Sequence, residues 1–336
     1  MWGSRKKKDP DRLVSEALEL HAEGESEAAA ARLREATEIN PAHAQAWYCL
    51  GTILGQAGEM TQAVECYRKS AEHAPADRVA LPLFNMGNAL QALGMLDEAA
   101  DAFRRATEAD PEFADAWINL GRLIDDAGGH REAIECYDKA LAEQPDDVTA
   151  LANRGNSLRA LDRHDEAHAS YENALAIEPD HPAARVGLGV CLAHLGRPDE
   201  GLAVLDEVLN ETDSPVVRAE RAVVLAMLGR LDEALAVLDD AIGRGVRNPA
   251  SYNNRGEMLA KLGRVDDSVA SFDEALALEP RYTPALFGRA RALCNAGRYG
   301  PARETIDRYF SHSDGSDGLQ EPARAILMLC QSEGVE

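Results

Sequence analysis

The feature that most constrains this chain is an internal period of 34 residues, the distance from Gly121 to Gly155. Small residues recur in step with it, as Ala17, Gly51, Gly87, Gly121, Gly155, Gly189, Ala222, Gly256 and Ala290. A second series runs Ala29, Ala63, Ala99, Ala133, Ala167, Gly201, Ala234, Ser268 and Ala302. A third runs Ala36, Ser70, Ala106, Ala140, Ala174, Val208, Ala241 and Ala275, with Tyr309 closing it. Prolines punctuate the units at Pro41, Pro75, Pro111, Pro145, Pro179 and Pro280, where each ends a helix before the next begins. Repetition at this length marks stacked supersecondary units, since a single unit cannot bury its own apolar face.

Counted from the first residue of each unit, the three series fall at positions 8, 20 and 27, and the prolines at 32. Positions 4, 7, 8 and 11, such as Trp117, Leu120, Gly121 and Ile124, share one helix face at spacings of three and four. Glycine near position 15 (Gly58, Gly94, Gly128, Gly196, Gly229, Gly263, Gly297) turns the chain into an antiparallel partner helix. Position 24 carries an aromatic ring or leucine (Tyr67, Phe103, Tyr137, Tyr171, Leu205, Leu238, Phe272).

In these residues the chain resembles the tetratricopeptide repeat family, over nine units beginning near residues 10, 44, 80, 114, 148, 182, 215, 249 and 283. The resemblance implies an all-α fold, a right-handed α-solenoid of helix-turn-helix units. Residues 1–9 then read as a basic disordered leader (Arg5, Lys6, Lys7, Lys8), residues 10–316 as the array, and 317–336 as a capping helix and tail. Caps of this kind close the open end of a solenoid; the alternative for "EPARAILMLCQSE" is a docking helix. The period is broken by an insertion at Arg78 and Val79, and by a short unit with Asp213 at the proline position. Both read as variation in loop length.

Positions 2, 6, 9 and 13 form a second stripe on the first helix of each unit. Asparagine recurs on it as Asn85, Asn119, Asn153 and Asn254 at position 6, and as Asn88 and Asn156 at position 9, with Arg122 between them. Asparagine is a poor helix-interior residue, so its recurrence needs a reason. A carboxamide can pair with both the N–H and the C=O of an extended peptide, and a row of them would hold a strand-like segment by its main chain. In the tetratricopeptide repeat family the first helices line the concave groove. The row is similar to the asparagine ladder of the O-linked N-acetylglucosamine transferase superhelix, where such residues clamp substrate peptides. The alternative is that these asparagines bond only to neighbouring helices. Further on, Val190, Val223 and Met227 extend the stripe as an apolar groove.

Other chemistries find little footing. Position 5 carries no cation (Val14, Tyr48, Phe84, Ile118, Ala152, Val186, Ala219, Asn253, Phe287), so the clamp by which relatives seize C-terminal carboxylates is absent. His164 and His168 have metal-like spacing without a third ligand, and acid pairs such as Asp125-Asp126, Asp146-Asp147, Asp239-Asp240 and Asp266-Asp267 suit turns and helix starts. No nucleophile elbow or phosphate loop occurs, so neither enzyme activity, a cofactor nor a metal is expected. With Asp+Glu 58 against Lys+Arg 35 and a net charge of -23, nucleic acid is an unfavourable partner. No segment is apolar enough to span a membrane. Six isolated cysteines (Cys49, Cys66, Cys136, Cys191, Cys294, Cys330) suit a reducing, cytoplasmic setting. The expectation is a scaffold binding an extended peptide of a partner protein. Its alternatives are a self-assembling structural protein, or a regulatory subunit of a separate enzyme such as a glycosyltransferase.

Overall fold

A computed structural model describes residues 9–313, 315 and 318–333. The basic cluster Arg5–Lys8 lies outside them, as do Asp314, Ser316 and Asp317 of the Ser/Asp/Gly segment. The described residues form nineteen α-helices, numbered α1 to α19 in chain order, and no strand. They divide into two compact units, one reaching Pro179 and one starting at Asp180.

The first unit holds five antiparallel hairpins: α1 Pro10–Ala22 with α2 Ser26–Ile39, α3 Ala44–Gln56 with α4 Met60–His73, α5 Ala80–Ala92 with α6 Leu96–Ala109, α7 Ala114–Asp126 with α8 His130–Glu143, and α9 Val148–Ala160 with α10 His164–Ile177. The second holds four: α11 Pro182–His194 with α12 Pro198–Glu211, α13 Pro215–Met227 with α14 Leu231–Gly243, α15 Pro249–Lys261 with α16 Val265–Leu278, and α17 Thr283–Asn295 with α18 Tyr299–His312. The last helix, α19 Gln320–Glu333, follows them.

Local chemistry sets several of the boundaries. His43, Asp147, His181, Ser214 and Asn248 cap the helices they precede, each side chain accepting a backbone N–H three residues on. Proline occupies the first helical position of α11, α13 and α15, where its missing N–H costs nothing. The inner turn of a hairpin needs a left-handed residue, and Gly58 (φ 81°) and Gly94 (φ 75°) supply it. In the hairpin of α9 and α10 that residue is Asp162, at φ 57°.

Within a hairpin the position-24 ring lies directly over the position-8 glycine. A methyl group added at Gly87 would stand 2.6 Å from the Phe103 ring, and one at Gly155 2.6 Å from Tyr171. Phe103, Tyr137, Tyr171, Leu205, Leu238 and Phe272 are fully buried. Tryptophans at position 4 tie a hairpin to the turn before it: the indole N–H of Trp47 donates to Pro41 O at 2.8 Å, and that of Trp117 to Pro111 O at 2.9 Å. Lys69 and Lys139 lie over these two rings.

Position 7 departs from the apolar stripe. It is buried and apolar at Leu50, Met86 and Leu120 but arginine at Arg154, Arg221, Arg255 and Arg289. Each arginine reaches back to an aspartate on the second helix of the preceding hairpin. Arg154 Nε meets Asp138 at 2.6 Å, Arg221 meets Asp206 at 2.6 Å and Arg289 meets Asp273 at 2.8 Å. Arg154 also donates to Ser170 Oγ at 2.7 Å and Arg255 to Ser271 Oγ at 2.8 Å, on their own second helices. Asp239 thus belongs to such a clamp, with Arg255, rather than to a turn.

The two breaks in the period are built features. After the second hairpin, Ala76–Arg78 wind into a 3-10 turn. At the short unit, Asp213 accepts from Arg218 at 2.6 Å and from Arg244 at 2.9 Å, fastening the turn where proline stands elsewhere. The last helix buries Ala323 and Cys330 against the final hairpin, while Met328 (67%) and Leu329 (43%) stay exposed.

Candidate functional site

The stripe of positions 2, 6, 9 and 13 can be followed along α5, α7 and α9 of the first unit. Asn85, Asn119 and Asn153 are half-buried, Asn88 is exposed, and Arg122 and Asn156 are half-buried. The structure links several of them to neighbours. Asn85 Nδ2 donates to the Tyr48 hydroxyl at 3.1 Å, and Asn119 Nδ2 donates to Asn88 Oδ1 at 3.1 Å, each bridging adjacent repeats. Asn156 Oδ1 accepts from the Tyr171 hydroxyl at 2.8 Å, so this side chain is turned toward its own hairpin.

Asn153 differs. Its backbone carbonyl accepts from Ser157 Oγ at 3.3 Å, but among the described residues its carboxamide has no hydrogen-bond partner. By inventory a carboxamide has two N–H donors and an acceptor oxygen, so Asn85 and Asn119, with one N–H each engaged, keep capacity for another chain. Nearby, Asp125 receives Ser157 Oγ–H at 2.6 Å and pairs with His130 at 2.8 Å. The Tyr137 hydroxyl beneath is pushed well above its ordinary pKa, first by burial and then by Asp125 and Asp126, with Arg122 opposing. It stays neutral at physiological pH.

In the second unit the stripe changes. Asn254 is half-buried, and the adjacent Asn253 holds its Oδ1 buried without a hydrogen-bond partner. Arg291 pairs with Glu257 one repeat earlier and lies over the Phe287 ring. The expected apolar groove is corrected at Val190, which is 1% exposed and packs with Val217, Val224 and Leu225 in the core. The cause is the packing of α11 against α13, whose Val217, Val224 and Leu225 close over the valine. Val223 is half-buried, and Val216 (59%) and Met227 (43%) remain exposed.

The remaining candidate groups sit apart from this stripe. His164 pairs with Asp162 at 3.6 Å and His168 with Glu172 at 3.2 Å. Among the described residues, no three His, Cys, Asp or Glu side chains converge as metal ligands. The six cysteines are buried and free, and burial pushes the Cys66 and Cys136 thiols up to about 11. No helix among the described residues is long and apolar enough to cross a membrane.

Sequence reasoning missed the position-7 arginine clamps, whose signal was present as a recurrent Arg in an otherwise apolar column. It also missed Tyr48 and Tyr171 as partners of the asparagines; for Tyr171, a buried phenol's need for a polar contact was the available clue.

Within each unit the antiparallel helical hairpins pack each on the next, the arrangement of an α-solenoid, and in the first unit the first helices present a regular polar stripe. Tetratricopeptide repeat profiles match residues 43–112, 84–148, 125–167, 158–219, 219–283 and 259–316. The chain belongs to the tetratricopeptide repeat family. Among solved structures it is similar to a tetratricopeptide repeat protein from Parabacteroides merdae, at 19% identity over 75% of this chain and 98% of that one, with a TM-score of 0.60. It is also similar to yeast Tom70, at 12% identity over 97% of this chain and 96% of that one, with a TM-score of 0.50. These likenesses concern the fold. No curated protein matches the sequence.

Proposed function

We propose that this protein is a non-enzymatic scaffold that holds an extended segment of a partner protein along the stripe of α5, α7 and α9, chiefly through Asn85, Asn119 and Asn153. The observation that carries the reading is the Asn153 carboxamide, half-buried and without an internal partner, in register with two others that keep spare donors and acceptors. An amide left half-satisfied gains more from a peptide main chain than a fully bonded one. Asn88 and Arg122 flank the row; Asn156 and Asn254 are secondary. The net charge of -23 supports a protein rather than nucleic acid as partner. Six free, buried thiols support a reducing, cytoplasmic setting.

The test compares capture from native lysate by wild type and by the Asn85→Ala/Asn119→Ala/Asn153→Ala variant, at matched helicity and monodispersity. Partners retained by the wild type and lost by the variant support the clamp; the same partners on both would refute it. One observation favours a second reading, self-assembly: α19 exposes Met328 and Leu329 side by side. A sedimentation coefficient that rises with concentration for wild type but not for Met328→Glu would establish that reading.

A further inference from the structure

The connector after α4 is longer than any other between hairpins, and its 3-10 turn lines a cavity of about 490 Å³. That size falls within the range of about 300–1,000 Å³ common for ligand pockets. The remaining walls are mainly apolar: Ala44 and Tyr48 from α3, Leu81 and Pro82 from α5, and Phe113. Leu81 is 46% exposed, at position 2 of the stripe. The Tyr48 hydroxyl is the group that Asn85 bonds, so cavity and asparagine row adjoin through one hydrogen bond. Asp77 and Asp110, both exposed, also line the cavity, and the one cation among its lining residues, Arg78, lies 3.9 Å from Asp77.

We propose that this cavity takes an aromatic side chain of the extended partner segment, with a lysine or arginine beside it in sequence paired to Asp77 and Asp110. Tyr48, Phe113, Leu81 and Pro82 give flat apolar walls suited to a ring, and rings anchored in such pockets dominate peptide recognition. Two carboxylates against one guanidinium leave the mouth acidic, which selects a basic neighbour and steers it. Over most of its length a second copy of this chain, itself at -23, would bring the wrong sign. The proposal rests on the clamp reading for the direction of the segment, and its test separates the two.

The probe is a positional library of fluorescein-labelled decapeptides on a Gly/Ser background, read by anisotropy with the full chain. The expected result is at least tenfold tighter binding of pools with Trp, Phe or Tyr within three residues of Lys or Arg. Leu81→Arg should abolish that preference, and so should Ala74→Phe, which puts a ring into the cavity from the connector; unchanged helicity in either variant excludes misfolding. Asn119→Ala/Asn153→Ala, which leaves the Tyr48–Asn85 bond intact, should weaken every pool while keeping the preference. Absence of an aromatic-basic preference, or its survival in both cavity variants, overturns the cavity proposal while Asn-dependent binding would keep the clamp. A preference that depends on the cavity but ignores the asparagines supports the cavity and sinks the clamp. A self-association lost in Leu81→Arg would assign the cavity to a second copy and overturn the proposal. Binding gained only when residues 1–8, which include Trp2 and Arg5–Lys8, are removed would assign it to the chain's own segment, with the same consequence.

Discussion

A single methyl group separates a workable hairpin from a strained one in this protein. The Phe103 ring occupies the space that a side chain at Gly87 would need, with ring atoms at 2.6 to 2.9 Å from an added Cβ, and Phe272 crowds Gly256 in the same way. Because the ring is fully buried, it cannot swing aside without moving its neighbours. Gly87→Ala should therefore destabilise the protein by about 1–3 kcal/mol, the usual cost of overpacking a filled core, measured as a lower urea midpoint at unchanged m-value. Asn253 is the opposite case. Its Oδ1 is buried without a hydrogen-bond partner, at a position that is apolar in the other repeats. Replacing it with leucine removes the desolvation cost of that oxygen, and Asn253→Leu should raise stability by about 1 kcal/mol; a lower melting temperature would contradict this. The small residues at positions 8, 20 and 27 were legible as a column because close approach excludes all larger residues there. The mismatch at Asn253 was not, since sequence gives the residue but not whether a partner reaches it.

Between elements, the arginine clamps and the Asp213 junction do what apolar packing does elsewhere. Arg244, more than Arg218, holds the Asp213 carboxyl far below the usual carboxylate range by hydrogen bonding to its charged form. The group's folded pKa is depressed, so its contribution to stability is present above the ordinary carboxylate pKa and is lost as pH falls through the folded value. Asp213→Asn should thus lower the melting temperature at pH 7, by a margin that holds as pH falls to the ordinary carboxylate pKa of about 4 and shrinks only below it, toward the folded value. A pH-independent difference would mean that the junction is held by shape rather than charge. Helix ends, hairpin turns and repeat boundaries could be read from Gly58, Pro111 and their equivalents, because helix termination and left-handed turns are local chemistry. The pairing of Arg255 with Asp239 or Arg244 with Asp213 joins residues 16 and 31 apart. Such pairs need the stacking geometry before they can be recognised. For the same reason the insertion at Arg78 and Val79 read as slack until the fold put a cavity beside it, and Val190 read as groove until the fold packed α13 against α11 over it.

At the scale of the whole molecule, each hairpin is stabilised chiefly by its neighbours, so stability is a sum of local terms rather than the property of one core. Two compact units, meeting in sequence between Pro179 and Asp180, make that statement testable, because the chain carries its own reporters. Of its three tryptophans, Trp47 and Trp117 lie in the first unit, where both pack over lysine and donate to proline carbonyls, and the third is Trp2. The helices, in contrast, are spread over both units and report through the far-ultraviolet circular dichroism of the entire chain. A destabilising change confined to the second unit should then separate the two signals. Gly256→Ala forces a methyl group against the Phe272 ring and lowers the stability of α15 and α16 by about 1–3 kcal/mol. In urea, part of the helical signal of this variant should melt early, while the tryptophan transition moves far less. Two-state unfolding of the whole chain would instead shift both probes together by the same amount. Coincident, equally shifted transitions would show coupling across the sequence boundary strong enough to make the repeats one cooperative block, and destabilisation in the second unit would then reach the asparagine row in the first.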